Sequence, residues 1–403
     1  MHCFICNEKK FFNFLNLGNQ PPSDAFLRSE DLSKTEAMYP LELFFCENCR
    51  LVQLNYIVPP EKLFVDYVYN TATNNSLKVN FHNLVELLVE RFQLKNTDFA
   101  IDIGSNDGTL LSNYVPHGVK ILGIDPSSST RLALENQIPT IVDFFSKAVS
   151  TQVKKTYGNA KIITATNVFA HVNKLNDFLA GVAELLTPDG VFVSESGYLL
   201  DMITKLQYDA VYHEHLRYYS LKPLKILFAT HGMEMFDAEK ISTHGGSIRI
   251  YAAKIGAYDV SDFVEKLILE EEKAGLYKKE TYADFAEKAK QNKLAIQKFI
   301  VEQRSIGKRI VGIGAPAKGN TLLNFCSLNT DTIDYLVEKS QLKIGRFAPG
   351  THIPVVDESR LFIDQPEYAL LLSWNIADEL IPKLRNAGYN GKFIIPTPKL
   401  TIV

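Results

Sequence analysis

Tryptophan is nearly absent from these 403 residues, with one copy, and cysteine and methionine are sparse at five copies each. Charge of one sign is not in excess: 43 Lys and Arg stand against 46 Asp and Glu, for a net charge of −3. So small an imbalance excludes broad electrostatic attraction to nucleic acid. There is no basic tail, low-complexity tract or internal repeat. Apolar runs such as YALLLSW are far shorter than the roughly 20 residues a bilayer span needs. The stretch MHCFICNEKK has no apolar signal-peptide core. The expectation is a cytoplasmic monomer with no membrane and no nucleic-acid partner. What remains is ordinary for a folded protein, 46% hydrophobic and 22% charged, and long enough for two or three domains.

The scarce cysteines are not scattered. Four form the pairs Cys3/Cys6 and Cys46/Cys49, and Cys326 stands alone. In a reducing compartment a double C-x-x-C reads as a metal site before it reads as disulfides or a redox pair. Each pair puts two thiolates on one tight knuckle, and two knuckles complete a tetrahedral shell. Four thiolates leave no open position, so the expected zinc is structural. Cys326 reads as a small buried hydrophobe.

The head of the chain is rich in Asn, Pro and aromatics, with strand-like runs LELFFC and LVQLNYIV. From residue 76 the pattern changes. SLKVNFHNLVELLVERFQL has helical spacing. Then FAIDIGSNDGTLLSNY, VKILGIDPSS, KIITATNVFAHV and GVFVSESGYLL supply buried strands separated by helices. GGSIRIYAAKI closes this region, an amphipathic run follows over about 261–304, and a second strand–helix pattern begins at RIVGIGAPAKGNTLLNF. Alternation at this spacing predicts α/β doubly wound sheets. The predicted organisation is a zinc-binding module over 1–75, then two Rossmann-like domains over 76–250 and 251–403.

Two glycine-rich turns carry the ligand signals. DIGSNDG is not the dinucleotide fingerprint; it resembles the D-x-G-x-x-x-G turn of S-adenosylmethionine-dependent methyltransferases. On that reading Asp102, Gly104, Asn106 and Gly108 face the amino-acid end of the cofactor, where Asp102 meets its ammonium and glycine permits close approach. Asp125 ends the next strand, placed for ribose hydroxyls. Asp143 and Phe144 fit an adenine pocket, and Asn167 follows the fourth strand. VGIGAPAKGN matches G-x-G-x-x-A through Gly312, Gly314 and Ala317. Backbone N–H groups and a helix dipole there favour a diphosphate, and Lys318 adds a cation. The turn suits NAD, a nucleotide diphosphate or a nucleotide-sugar, and also a ligand-free packing role.

YHEHLRYYS, residues 212–220, crowds proton carriers together. In a strand, Tyr212 and Glu214 share one face and His213 and His215 the other, so they line one cleft only if the chain turns. His213 is then the spectator. His213, Glu214 and His215 could bind a metal, but the H-x-H pattern has no obvious third ligand nearby, and a purely structural cluster is the other alternative. His244 precedes a Gly pair, serving a turn or facing substrate. Lys343 and Arg346 lie in a loop open to phosphates or to solvent.

Taken together, the four-cysteine head, DIGSNDGTLL, NVFAHV, YHEH and GIGAPAKGNTLLNF resemble the bacterial sugar C-methyltransferases, over essentially the whole chain. That resemblance implies S-adenosylmethionine and structural zinc as cofactors. It also implies a nucleotide-linked keto-deoxysugar between the last two domains, carried on thymidine (dTDP) or guanosine (GDP) diphosphate. It places Lys318 and Asn320 on the diphosphate; Ala317 of the fingerprint and His244 are further candidate substrate contacts. The acid/base cluster falls on Tyr69, His171, Tyr212, Glu214 and His215. A ketone acidifies the adjacent C–H; His215 is the expected base, and tyrosines are the expected donors to the enolate oxygen. The expected reaction is methylation, at C-3, of a 4-keto-6-deoxysugar. An NAD-dependent oxidoreductase acting on a nucleotide-sugar and a non-catalytic zinc-bearing binding protein are the alternatives.

Overall fold

Phe11–Gln20 (β1), Tyr39–Cys46 (β2) and Val52–Leu54 (β3) pair as an antiparallel meander at the head of the chain. Period-2 burial explains β2: Leu41, Leu43 and Phe45 are buried while Glu42 and Phe44 between them are less so. LVQLNYIV yields only the three-residue β3. The computed structural model describes residues 2–64, 71 and 75–403.

Asn75–Arg91 forms helix α1, as its periodicity predicts. The central sheet begins with Phe99–Ile103 (β4), buried at every position because helices cover both faces. Lys120–Ile124 (β5), Thr140–Ile141 (β6), Ala160–Thr166 (β7) and Leu186–Gly197 (β8) extend it in parallel. Arg217–Tyr218 (β9) leaves this sheet and adds a fourth strand to the N-terminal one, pairing with β3. Met233–Ile241 (β10) and Ser247–Lys254 (β11) return antiparallel, with β10 at the edge. The order is β10-β11-β8-β7-β4-β5-β6, so the topological switch point lies between β4 and β7.

The charged run resolves into two helices, Asp262–Lys273 (α2) and Lys279–Ser305 (α3). Tyr282 of α3 is buried against Phe14 and Phe45, with ring centroids at 4.9 and 4.7 Å. Burying such a ring contributes about 1.5–3 kcal/mol, and it fixes α3 to the N-terminal sheet. The third sheet comprises Ile310–Ile313 (β12), Leu336–Glu338 (β13), Val355–Asp357 (β14), Tyr368–Leu371 (β15), Lys392–Ile395 (β16) and Thr401–Ile402 (β17). Helix Ala317–Phe325 (α4) follows β12. The order β14-β13-β12-β15-β16-β17 puts a second switch point between β12 and β15.

The N-terminal module is also tied to the third sheet's domain. Leu27 and Phe347 exchange backbone hydrogen bonds at 3.0 and 2.9 Å, and Glu36 accepts from the Gly350 N–H at 2.8 Å. Among the described residues no helix is long and apolar enough to cross a membrane.

Candidate active site

The four cysteine sulfurs lie within 4.8 Å of one another, Cys3 and Cys49 at 3.3 Å and Cys6 and Cys46 at 3.6 Å. Zn–S bonds of about 2.3 Å in a tetrahedron give edges of about 3.8 Å, so the thiolates fit one zinc ion. Both knuckles close alike: Asn7 and Arg50 follow the second cysteine in left-handed conformation and donate to the carbonyls of Cys3 and Cys46 at 3.0 Å. The zinc site is structural, and none of its thiolates lines the main cleft.

That cleft, about 1880 Å³, opens over the switch points of the two larger sheets. At the central-sheet end Asp102 accepts from Thr164 Oγ1 at 2.6 Å. Burial pushes its carboxyl up to about 7, and the charges of Asp125 and Glu195 add to the shift against the Thr164 bond. Gly104 has φ +73°, and a Cβ there would sit 2.2 Å from Val168 Cγ2. Asn106, also left-handed, donates its N–H to Asp125 Oδ2 at 3.0 Å, while the Ser127 N–H donates to Oδ1 at 2.7 Å. Asp143, Phe144 and Asn167 line the same cleft. Gly108 does not: a Cβ there would meet Ile138 at 3.1 Å, so this glycine serves packing. The buried hydroxyls of Ser105, Ser127 and Ser196 line this end without a partner among the described residues. Two buried carboxyl groups and hydroxyls without a partner among the described residues are groups that fit S-adenosylmethionine, which carries an ammonium and ribose hydroxyls.

At the other end Gly314 has φ +80°, and Ala317 and Lys318 line the cleft. The Lys318 ammonium donates to Asn375 Oδ1 and lies 4.9 Å from the Trp374 ring centroid. Burial lowers its pKa, opposed by the charge of Asp209. Gly312 and Gly319 serve packing: added Cβ atoms would fall 2.5 Å from Leu336 Cδ2 and 2.8 Å from Leu372 Cβ. Asn320 corrects the expectation of a diphosphate contact. It is 1% exposed, lies off the cleft, and donates to the Ser23 carbonyl at 2.7 Å. The backbone of His244 lies in a short turn, Thr243–Gly245, beside cleft residues Thr243 and Gly246. Lys343 lines the cleft and donates to the Ala315 carbonyl at 2.9 Å and to Asp24 at 3.3 Å; Arg346 does not line it.

Glu338 was missed. It ends β13, lines the cleft, and accepts the Ala315, Lys339 and Ser340 N–H groups at 2.9, 2.7 and 3.1 Å. An acidic residue roughly 20 positions after such a turn was the available signal.

Between the two ends sits the 212–215 segment. It is a turn, closed by the His215 N–H donating to the Tyr212 carbonyl at 3.0 Å. The turn brings the Tyr212 and His215 rings to 3.9 Å between centroids, with His171 stacked on His215 at 5.0 Å. His215 Nδ1 bonds the Ala210 carbonyl at 2.9 Å. A carbonyl only accepts, so Nδ1 carries the hydrogen and Nε2 the lone pair. Burial, then the neighbouring His215, hold His171 well below the usual histidine range, hence neutral. Burial, then the Glu214 charge, push the Tyr212 phenol well up, hence a donor. Glu214 is buried and lies off the cleft lining. His213 points elsewhere, to the Tyr39 carbonyl at 3.3 Å, which removes any shared metal with His215. Tyr69 lies outside the described residues.

Arg217 gave no sequence signal, because a two-residue strand is too short to read. Its guanidinium donates to the Val172 and Asn173 carbonyls and lies 4.3 Å from the Phe4 ring centroid. With the Leu54 N–H bonded to the Leu216 carbonyl at 3.0 Å, this fixes the 212–216 segment to the zinc module.

Comparisons with known proteins bear on this arrangement. Family models match in three places: a zinc binding domain over residues 3–64, a methyltransferase domain over 79–237, and a C-methyltransferase C-terminal domain over 242–398. The C-methyltransferase NovU of Streptomyces niveus is 31% identical over 404 residues, covering 100% of this chain and 96% of its own. An uncharacterized methyltransferase of Alkaliphilus oremlandii is 23% identical over 142 residues, 33% of this chain and 64% of its own. Magnesium protoporphyrin IX methyltransferase from Synechocystis PCC 6803, solved with bound S-adenosylmethionine, is 13% identical with a TM-score of 0.32, over 44% of this chain and 79% of its own.

Proposed function

As this chain belongs to the bacterial S-adenosylmethionine-dependent C-methyltransferase family, we propose that it methylates C-3 of a nucleotide-linked 4-keto-6-deoxysugar, with His215 as the base. The observation that carries this reading is the placement of His215. Its ring lines the cleft between the cofactor end and the Lys318 end, and Nδ1–H bonds the Ala210 carbonyl, which puts the lone pair on Nε2.

A saturated carbon is a poor nucleophile, but a neighbouring ketone lets its proton leave as an enolate forms. His215 Nε2 takes that proton, and the Ala210 carbonyl steadies the imidazolium through Nδ1–H. Tyr212, neutral, donates to the enolate oxygen. His171, neutral and stacked on His215, keeps a second positive charge away from the imidazolium. Asp102 and Asp125 would hold the cofactor's ammonium and ribose, and the bound cofactor supplies an electrophilic methyl group. Lys318 would hold the diphosphate and Glu338 the nucleoside, thymidine or guanosine.

The test is methyl transfer from S-adenosylmethionine to a panel of thymidine- and guanosine-diphosphate 4-keto-6-deoxysugars, read by mass and by the position of the new carbon. Methylation at the carbon next to the ketone supports the reading. No methylation and no binding of any panel member overturns it. NAD titration, expected to show no binding, separates it from nucleotide-sugar oxidation.

A further inference from the structure

The short turn Tyr208–Ala210 links the Lys318 end of the cleft to His215 through consecutive residues. Tyr208 donates its hydroxyl to Asn292 of α3 at 2.7 Å. Asp209, wholly buried, accepts the Trp374 indole N–H at 2.6 Å. The carbonyl of Ala210 is the acceptor that sets the tautomer of His215.

Trp374 follows β15 at the second switch point, and its ring underlies the Lys318 ammonium. Asp209 and Lys318 draw each other toward their charged forms against the burial that opposes both. The Trp374 indole and the backbone N–H groups of Asp209 and Ala210 favour the charged carboxylate of Asp209 against its burial. A buried charge costs stability unless it is paired and hydrogen-bonded, so this carboxylate ties its partners together.

We propose that Asp209 is a positioning residue coupling the Lys318 end of the cleft to His215. It holds Trp374 and Lys318 against the backbone whose next carbonyl orients His215, so a diphosphate seated on Lys318 raises turnover as well as affinity. This rests on the assignment of His215 as base. Binding energy from a part of the substrate far from the reacting carbon then appears in kcat, because it fixes the base in its working position.

A double-mutant cycle tests it, with the thymidine-diphosphate 4-keto-6-deoxysugar as substrate and S-adenosylmethionine affinity as the control for folding. Asp209→Asn keeps an acceptor for the indole and removes the charge; Lys318→Met removes the cation. Each is expected to lower kcat by about tenfold, and the double variant by no more than the worse single one. Should Asp209→Asn misfold, Trp374→Phe, which removes only the indole donor, takes its place with a smaller loss of kcat. Losses that multiply, or a rise in KM at unchanged kcat, overturn the coupling. Full turnover in His215→Ala would instead overturn the base assignment, and the coupling with it.

Discussion

The turns after β4 and β12 share a strand–turn–helix plan, yet their glycines do different work. In the first, Gly104 and Asn106 are both left-handed and line the cleft, and the Asn106 N–H locks Asp125. In the second, only Gly314 has a positive φ within the fingerprint, while Gly312 and Gly319 let β12 and α4 pack against Leu336 and Leu372. What separates the two ends chemically is the groups at neighbouring strand ends. Asp102 and Asp125 put two carboxyl groups at the first end, whereas Lys318 puts a buried amine at the second. A glycine motif reports backbone geometry; the ligand is chosen by the polar groups around it.

The sharpest way to set both ends against the chemistry between them is His215→Ala. Turnover should fall by about 10²–10⁴-fold, the range for a lost general base. Calorimetry should find the affinities for S-adenosylmethionine and for nucleoside diphosphate unchanged. Next, Gly104→Ala forces a Cβ onto Val168 at a left-handed position, which alone costs about 1–2 kcal/mol. S-adenosylmethionine affinity should drop on the order of 10- to 100-fold. Gly312→Ala should instead lower thermal stability by about 1–3 kcal/mol through overpacking, with cofactor affinity intact. Equal effects of the two on cofactor binding would erase the distinction between the turns.

A smaller effect comes from pH. Asp102 titrates at about 7 in the folded protein against about 3.9 unfolded. Its buried neutral form therefore stabilises the fold fully below the unfolded value, and that contribution is lost as pH rises toward 7. Cofactor binding that needs the carboxylate ionised runs the other way. Affinity should be about tenfold weaker at pH 6 than at pH 8, and Asp102→Asn should flatten the dependence. Smallest, Glu338→Gln should weaken nucleoside diphosphate binding about five- to tenfold, roughly one net hydrogen bond, without touching the cofactor.

Much of this was legible beforehand. The cysteine spacing announced the metal site, and strand–helix alternation announced both sheets. Asp102, Asp125, His171, His215 and Lys318 were each readable at strand ends or turns, and all five line one cleft. What escaped was whatever depends on a neighbour distant in sequence. Asn320 sits one turn from a fingerprint, but whether it meets solvent or Ser23 depends on where the N-terminal module docks. Gly108 fits a motif but faces Ile138. The joining of Tyr212 to His215 needed a turn that period-2 reasoning could state only as a condition. β9 was too short to leave a pattern, and with it Arg217 stayed hidden.

The most direct measurement is solvent exchange at the carbon that receives the methyl group. The keto-sugar nucleotide is incubated in D₂O with protein and S-adenosylhomocysteine, so that a proton can leave but no methyl can arrive. The native protein should wash deuterium into that carbon and His215→Ala should not. Undiminished exchange in His215→Ala would contradict the assignment of the base.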